Sequence, residues 1–248
     1  MLSGELIQSP ILLVLLLLVA FLYASVGHGG ASGYLALMSL FAFPVTVMKP
    51  TALVLNILVS AISFFFYFRE KKFEWKLFYP FAITSIPFSF IGGIITIETH
   101  VYKIILATVL LFAVARLLGL FGKQKGELKP IDIPLALVIG AVIGLLSGLI
   151  GIGGGIILSP ILLLLRWADI KKSAAVSALF IFANSISGLF GFLSKGGTLP
   201  VSSVSLIGVA LLGGIIGGYF GSKKMNTIVL RNVLAIVLLI AVFKLYTT

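Results

Sequence analysis

The chain has 248 residues, of which 60% are hydrophobic and 10% are charged. Soluble domains are about half apolar and about a quarter charged, so this composition excludes a soluble protein and indicates an integral membrane protein. The formal net charge of +11 comes from residues between apolar runs, which favours orientation in a lipid bilayer over binding to nucleic acid. Cysteine is absent and there are only 2 histidines, so disulfides and thiol catalysis are excluded, and neither a metal site nor a cofactor is expected.

The first half of the chain predicts five apolar helices, at Pro10–Val26, Gly33–Phe43, Thr51–Phe68, Leu77–Ile97 and Val101–Phe121. The polar stretch 122–132 contains Gly126 and Pro130 and predicts a linker. The second half repeats the plan, at Ile133–Ile150, Ile156–Leu165, Ala174–Leu193, Ser203–Gly221 and Ile228–Tyr246. We therefore predict one transporter domain, in which residues 10–121 form a first repeat and residues 133–246 form a second.

Two glycine clusters interrupt these apolar runs, Gly27-His28-Gly29-Gly30 and Gly151-Ile152-Gly153-Gly154-Gly155. Each cluster predicts a helix, a break and a second helix within the membrane. Irregular backbone at that depth is tolerated only where protein or a water-filled cavity surrounds it. We predict that the two breaks form the centre of the molecule and the substrate site.

The two halves also align in register. Gly27, Gly29 and Gly30 fall on Gly151, Gly153 and Gly154 at an offset of 124 residues, and Lys49-x-x-Ala52 falls on Lys172-x-x-Ala175. The register of the glycines and of the basic residues indicates a duplication. Two homologous halves around a central site are typical of transporters.

The distribution of lysine and arginine predicts the orientation of the halves. If each broken unit crosses the membrane once, 10 basic residues lie inside and 8 lie outside. If each broken unit enters and returns to the same side, the count is 14 inside and 4 outside, which agrees with the positive-inside rule. The predicted fold is an all-α polytopic membrane protein with inverted repeats and both termini outside. Each repeat has a re-entrant or double-crossing broken unit and three further transmembrane helices.

Several features of the breaks favour an anionic substrate. The helices that begin after Gly30 and after Gly155 would present amino-terminal ends, which attract anions, although glycines also serve close helix packing. No Asp or Glu lies well inside an apolar run, whereas cation-coupled carriers usually carry such carboxylates. A pocket of backbone N–H groups without a fixed cation also predicts that sulfate, a dianion, competes poorly.

Polar side chains near the breaks are further candidates. His28 could hydrogen-bond an oxyanion, relay a proton or bond only to a backbone carbonyl. Polar residues share a face on two helices, Asn56, Ser60 and Ser63 on one and Ser173, Ser177, Asn184 and Ser187 on the other. These faces could line a polar cavity or bind helices together. Lys49 and Lys172 head the two helices and would attract anions at the two mouths or snorkel to the interface.

The segment Gly148–Gly155, followed by Ser159-Pro160, resembles the sulfite exporter TauE/SafE family. The resemblance covers almost the whole chain and includes the basic residue and the small-residue helix after each break. It implies a permease for sulfite or organosulfonates in the cell (plasma or inner) membrane, and not an enzyme. The leading hypothesis is therefore a carrier that exports a small sulfur anion by alternating access, with the lipid bilayer as its surroundings.

Other hypotheses stay open at this point. An anion channel would have the same composition. An intramembrane serine protease would need a histidine base near Ser32, and the sequence offers His28 and His100. A homodimer is neither indicated nor excluded.

Overall fold

The computed structural model describes residues 9–120, 127–199, 204–223 and 228–247. The described residues are helical, with short turns between the helices, so the prediction of an all-α fold is confirmed. Residues 122–126 of the predicted linker lie outside the described residues, as do the predicted helix ends Phe121 and Ser203.

Ten helices run along the described chain. The first five are α1 (Pro10–Ser25), α2 (Ala31–Leu40), α3 (Val45–Arg69), α4 (Trp75–Ile94) and α5 (Thr99–Leu117). The next five are α6 (Ile133–Ile150), α7 (Gly155–Leu164), α8 (Ile170–Ser194), α9 (Val204–Lys223) and α10 (Ile228–Thr247). Their lengths follow the same order, with 16, 10, 25, 20 and 19 residues and then 18, 10, 25, 20 and 20. Among the described residues, α3, α4, α5, α6 and α8 are long and apolar enough to cross a membrane.

Helices α3 and α8 begin earlier than predicted. Helix α3 starts directly after Pro44 and continues through Pro50, which we had expected to lie before the helix. Helix α8 starts at Ile170 because Asp169 caps it, with its side chain accepting a hydrogen bond from the backbone N of Lys172 at 2.9 Å. Lys49 and Lys172 therefore lie within the first two turns of α3 and α8.

Helix α5 ends earlier than predicted because Gly119 stops it. Gly119 has φ +75°, and its backbone N donates to the Arg116 carbonyl at 3.0 Å. The backbone N of Leu120 donates to the Ala115 carbonyl at 3.0 Å, as in a glycine-terminated helix end. Arg116 therefore lies in the last turn of α5.

The two broken units, α1–α2 and α6–α7, are helical hairpins. The backbone N of Lys129 donates to the Arg166 carbonyl at 2.8 Å, so the chain before α6 and the chain after α7 meet. At the tip of the first hairpin, the Ser25 carbonyl accepts from the Tyr67 hydroxyl near the end of α3. At the tip of the second, Gly151 lies against the backbone of Lys49 near the start of α3. The two breaks thus approach α3 from opposite ends.

Glycine ladders hold each hairpin against a helix from the other set of five. In α6 the ladder is Gly140, Gly144 and Gly148, where a Cβ would overlap the carbonyl oxygens of Phe81, Ser85 and Ser89 in α4. In α9 it is Gly213, Gly217 and Gly221, where a Cβ would overlap the carbonyl oxygens of Leu17, Phe21 and Ser25 in α1. Small residues allow such close backbone approach in membrane helices. The position of each break therefore depends on a helix of the other set.

Candidate functional site

The first break joins α1 to α2 through two glycines in the left-handed region. Gly27 has φ +76°, and Gly30, the N-cap of α2, has φ +97°. The backbone N of His28 donates to the Tyr23 carbonyl at 2.8 Å, which closes the end of α1. L-residues rarely adopt this backbone conformation. The conformation of the break therefore requires glycine at both positions.

The second break contains three glycines in the left-handed region. They are Gly151, Gly153 and Gly154, with φ of +84°, +71° and +77°. Gly151 ends α6 and Gly154 is the N-cap of α7, which begins at Gly155. A Cβ at Gly155 would lie within overlap distance of the Ile181 side chain on α8. The second break is therefore fixed by its own backbone and by close contact with α8.

Asn56 on α3 lies between the two breaks. Its Oδ1 accepts a hydrogen bond from the backbone N of Ala31, the first residue of α2, at 3.0 Å. A Cβ at Gly29 would lie 2.6 Å from Oδ1, and a Cβ at Gly153 would lie 2.8 Å from Nδ2. Because Oδ1 must be the acceptor, the amide donor Nδ2 faces the second break. One side chain thus contacts both glycine clusters.

Two buried donors converge on Gly153. Asn56 Nδ2 and Ser185 Oγ lie 2.8 and 2.9 Å from the position of a Cβ at Gly153, and both residues are 0% exposed. Neither atom has a hydrogen-bond partner among the described residues. Most buried polar atoms are hydrogen-bonded, and an unsatisfied one costs about 1–3 kcal/mol. These donors are placed to bind an acceptor at the glycine.

Tyr34 adds a third buried donor, beside the first break. Its hydroxyl would lie 2.6 Å from a Cβ at Gly30. Tyr34 is 0% exposed, and its hydroxyl has no partner among the described residues. Three buried donors therefore lie beside the two breaks, and they would favour a ligand that carries hydrogen-bond acceptors.

Arg116 reaches from the end of α5 to both broken units. Its Nη1 lies 2.7 Å from Nε2 of His28 in the first break, and its Nη2 donates to Ser159 Oγ in α7 at 2.7 Å. Ser159 Oγ also accepts from Ser173 Oγ in α8 at 3.0 Å. A positive charge therefore lies beside the breaks, where the sequence had predicted a pocket without a fixed cation.

The contact with Arg116 fixes the protonation of His28. A guanidinium only donates hydrogen bonds, so His28 Nε2 is the acceptor. The proton must then be on Nδ1, which lies 2.8 Å from the Val26 carbonyl and donates to it. His28 is thus neutral in this arrangement, and a doubly protonated ring could not accept from Arg116.

Ser32, the candidate protease nucleophile, is hydrogen-bonded to a tyrosine. Its Oγ lies 2.6 Å from the hydroxyl of Tyr23. The two ring nitrogens of His28 contact Arg116 and Val26. This arrangement does not pair Ser32 with His28 as nucleophile and base.

Ser177 and Asn184, both predicted to bind substrate, are buried on α8 at 0% exposure. Asn184 Nδ2 donates to the Phe180 carbonyl at 2.8 Å within the helix, whereas its Oδ1 has no partner among the described residues. Ser177 Oγ has no partner there either. Ser187 from the same predicted face donates to the Ile86 carbonyl on α4. The face therefore combines unsatisfied polar atoms with hydrogen bonds to other helices, from Ser187 to α4 and from Ser173 to Ser159 in α7.

Lys49 and Lys172, the predicted anion attractors at the mouths, have different surroundings. Lys49 is 8% exposed, and its Nζ donates to the carbonyls of Gly92 and Gly93 at the end of α4, at 3.3 and 3.2 Å. Lys172 forms a salt bridge with Glu74. The structure thus places Lys49 at a helix carboxyl end and Lys172 in an ion pair.

Sequence reasoning missed four residues near the breaks, namely Tyr34, Arg116, Ser159 and Ser185. Of the four, Arg116 is the hardest to recognise from sequence, because one arginine near a helix end is typical of a membrane boundary. Ser159 stood in the Ser-Pro pair that followed the second break, but no role was assigned to it. Ser185 is the neighbour of Asn184, which was predicted.

Comparison with known proteins decides the family. The sequence model of the sulfite exporter TauE/SafE family matches residues 12–245. The chain belongs to the sulfite exporter TauE/SafE family. No solved structure matches it. The resemblance found in the glycine breaks is thus confirmed over most of the chain.

Three relatives of this TauE/SafE protein have names that describe probable membrane transporter proteins. One from Sinorhizobium fredii is 34% identical over 92% of this chain and 94% of the relative. One from Methanocaldococcus jannaschii is 28% identical over 74% and 73%, and one from Bacillus subtilis is 26% identical over 87% and 90%. These names support a membrane transporter rather than an enzyme.

Proposed function

We propose that this chain is a secondary transporter that exports a small sulfur oxyanion, sulfite or an organosulfonate, from the cell by alternating access. The observation that carries the proposal is the pair of unsatisfied buried donors, Asn56 Nδ2 and Ser185 Oγ, which converge on Gly153. An oxyanion presents several acceptor oxygens and would satisfy both. The family description supports sulfur chemistry.

The helix ends add to the preference for an anion. Helices α2 and α7 both begin at a break, directly after the N-cap glycines Gly30 and Gly154. A helix amino terminus carries about half a positive charge. A site that combines two such ends with side-chain donors favours negative charge on the ligand.

The alternating-access part of the proposal rests on inverted repeats. The two hairpins approach α3 from opposite ends, with Ser25 beside Tyr67 and Gly151 beside Lys49. Inverted halves can exchange conformations and open a central site to each side in turn. In this arrangement both termini lie on the outer side of the plasma or inner membrane.

The test is flux in liposomes that contain the purified protein. Radiolabelled sulfite should exchange, and unlabelled sulfite on the opposite side should accelerate its uptake, as expected for a carrier. Methanesulfonate and thiosulfate should compete, whereas sodium, potassium and neutral amino acids should have no effect. Chloride should compete weakly because it cannot accept several directed hydrogen bonds at once.

Two variants localise the site in the same assay. Ser185→Ala removes one donor and should weaken sulfite binding about 2- to 10-fold. Ser63→Ala is the matched control, because Ser63 is also buried without a partner among the described residues but lies seven residues, about 10 Å, along α3 from Asn56. Transport of metal cations without any effect of oxyanions would refute the anion assignment.

A further inference from the structure

Each hairpin tip is held by a tyrosine from a helix outside that hairpin. The Tyr67 hydroxyl near the end of α3 donates to the carbonyl of Ser25, the last residue of α1, at 3.0 Å. The Tyr102 hydroxyl near the start of α5 donates to the carbonyl of Ile150, the last residue of α6, at 2.9 Å. Both tyrosines are buried. The two tips are therefore fixed by the same kind of hydrogen bond.

A lysine also holds the helix behind each tip. Lys49 Nζ in α3 donates to two backbone carbonyls at the carboxyl end of α4. Lys171 Nζ in α8 donates to the carbonyls of Gly221 and Ser222 at the carboxyl end of α9, at 2.9 and 3.2 Å. Helix α4 packs against α6, and α9 packs against α1, through the glycine ladders. Each lysine thus ties down the helix that is packed against the adjacent tip.

The two halves share this arrangement although their sequences do not align the two lysines. The sequence register pairs Lys49 with Lys172, but Lys172 forms a salt bridge with Glu74, and it is Lys171 that makes the equivalent contacts. A helix carboxyl end has unpaired carbonyls and about half a negative charge, which favours a cation. Both lysines are therefore bound to the same kind of partner.

The proposed substrate site lies between the two sets of contacts. Along α3, Asn56 is seven residues, about 10 Å, from Lys49 and eleven residues, about 16 Å, from Tyr67. Gly151 in the second break lies against the backbone of Lys49, and Ser25 before the first break is bonded to Tyr67. Each hairpin tip therefore lies between Asn56 and one end of α3.

We propose that these contacts are the two gates of alternating access. Gate A consists of Lys49 and Tyr102, and gate B consists of Lys171 and Tyr67. Release of one gate would free a hairpin tip together with the helix packed against it, and would open the site to one side of the membrane only. This inference rests on the alternating-access part of the proposed function, because it names the residues that carry it out. In the predicted topology, gate A faces the outside and gate B faces the inside.

The test measures the side from which the site is accessible. The chain contains no cysteine, so Ser60→Cys supplies a single thiol, four residues from Asn56 at a buried position of α3. A membrane-impermeant thiol reagent is added to right-side-out vesicles and to inside-out vesicles, and the two labelling rates are measured. The ratio of the outside rate to the inside rate gives the side preference of the site.

Removal of the two lysines should shift this ratio in opposite directions. In the Ser60→Cys background, Lys49→Met should raise the ratio about tenfold or more, and Lys171→Met should lower it about tenfold or more, because each loses hydrogen bonds from a charged group. Tyr102→Phe and Tyr67→Phe each remove one hydroxyl and should give the same two directions, with changes of about two- to tenfold. These nearly isosteric variants decide the question if a lysine variant does not fold.

Two neighbouring lysines provide matched controls. Lys195→Met removes an exposed side chain that donates to Thr96 Oγ1, at the same end of the protein as gate A. Lys172→Met removes the salt bridge with Glu74, next to gate B. Thr96 and Glu74 lie outside the hairpin tips, so both variants should keep the ratio within about twofold of the Ser60→Cys parent.

The outcomes separate the gates from the proposed substrate. Shifts in the same direction at both gates, or an unchanged ratio in all four gate variants, would overturn the inference even if the wild type exchanges sulfite. Faster labelling from both sides in a single gate variant would also overturn it and would favour a channel. If the wild type exchanges no oxyanion but the ratios shift in opposite directions, the proposed substrate is wrong and the gates stand.

Discussion

Gly153→Ala is the most direct perturbation of the proposed site, because it adds a single carbon where the two donors converge. Gly153 has φ +71°, a conformation that costs an L-residue about 1–2 kcal/mol. The new Cβ would lie 2.7 Å from Ile181 Cγ2, 2.8 Å from Asn56 Nδ2 and 2.9 Å from Ser185 Oγ. Carbon atoms normally pack at about 3.5–4.0 Å, so each of these neighbours must move.

The structure separates two costs of this substitution. Backbone strain contributes about 1–2 kcal/mol and overpacking about 1–3 kcal/mol, so the total loss of folding stability is about 2–5 kcal/mol. Gly196→Ala is the matched control. It has φ +87°, and its Cβ would meet no atom within 4 Å, so it carries only the backbone strain. The difference between the two variants isolates the space at Gly153.

The assay measures thermal unfolding in detergent and sulfite exchange per folded molecule in liposomes. Gly196→Ala should unfold at a lower temperature and exchange sulfite like the wild type. Gly153→Ala should unfold at a still lower temperature and lose about tenfold or more of its exchange rate, because its methyl group occupies the place of a substrate oxygen. Wild-type exchange per folded molecule in Gly153→Ala would refute a substrate site at this glycine.

Two further predictions concern His28 and the topology. His28 accepts from Arg116 through Nε2. His28→Gln, whose amide oxygen can still accept, should therefore keep the flux of methanesulfonate, whereas His28→Ala should lower it. Equal flux in His28→Ala and in the wild type would remove His28 from this role. A reporter fused after Thr248 should lie outside the cell and one inserted at Gly126 inside, and a cytoplasmic carboxyl terminus would contradict the inverted topology.

The glycine breaks could be predicted because their signal is local. Helix α6 matches its predicted bounds, Ile133–Ile150, since an apolar run lies between the cap Asp132 and the left-handed Gly151. The break after it also follows from local rules, because several glycines in an apolar run have few other uses. The apolar run and the glycines that follow it were enough for each of these elements.

The polar partners of the breaks could not be placed in the same way. Asn184 was predicted on a face defined by spacings of three and four residues, yet the hydroxyl at Gly153 belongs to Ser185. Neighbouring residues on a helix differ by about 100°, so a face drawn from spacing alone can be one residue out. Arg116 shows the second difficulty, since its partners His28 and Ser159 are 88 and 43 residues away. No local pattern indicates which way such a side chain extends.

The glycine ladders indicate how alternating access would move the site. Helix α1, which leads to the first break, packs against α9 through Gly213, Gly217 and Gly221. Helix α6, which leads to the second break, packs against α4 through a ladder of its own. Packed interfaces of this kind switch between arrangements rather than deform continuously. Each break would therefore move together with the helix behind it, and the contacts that must change are those at Asn56 and Arg116, which join the two hairpins.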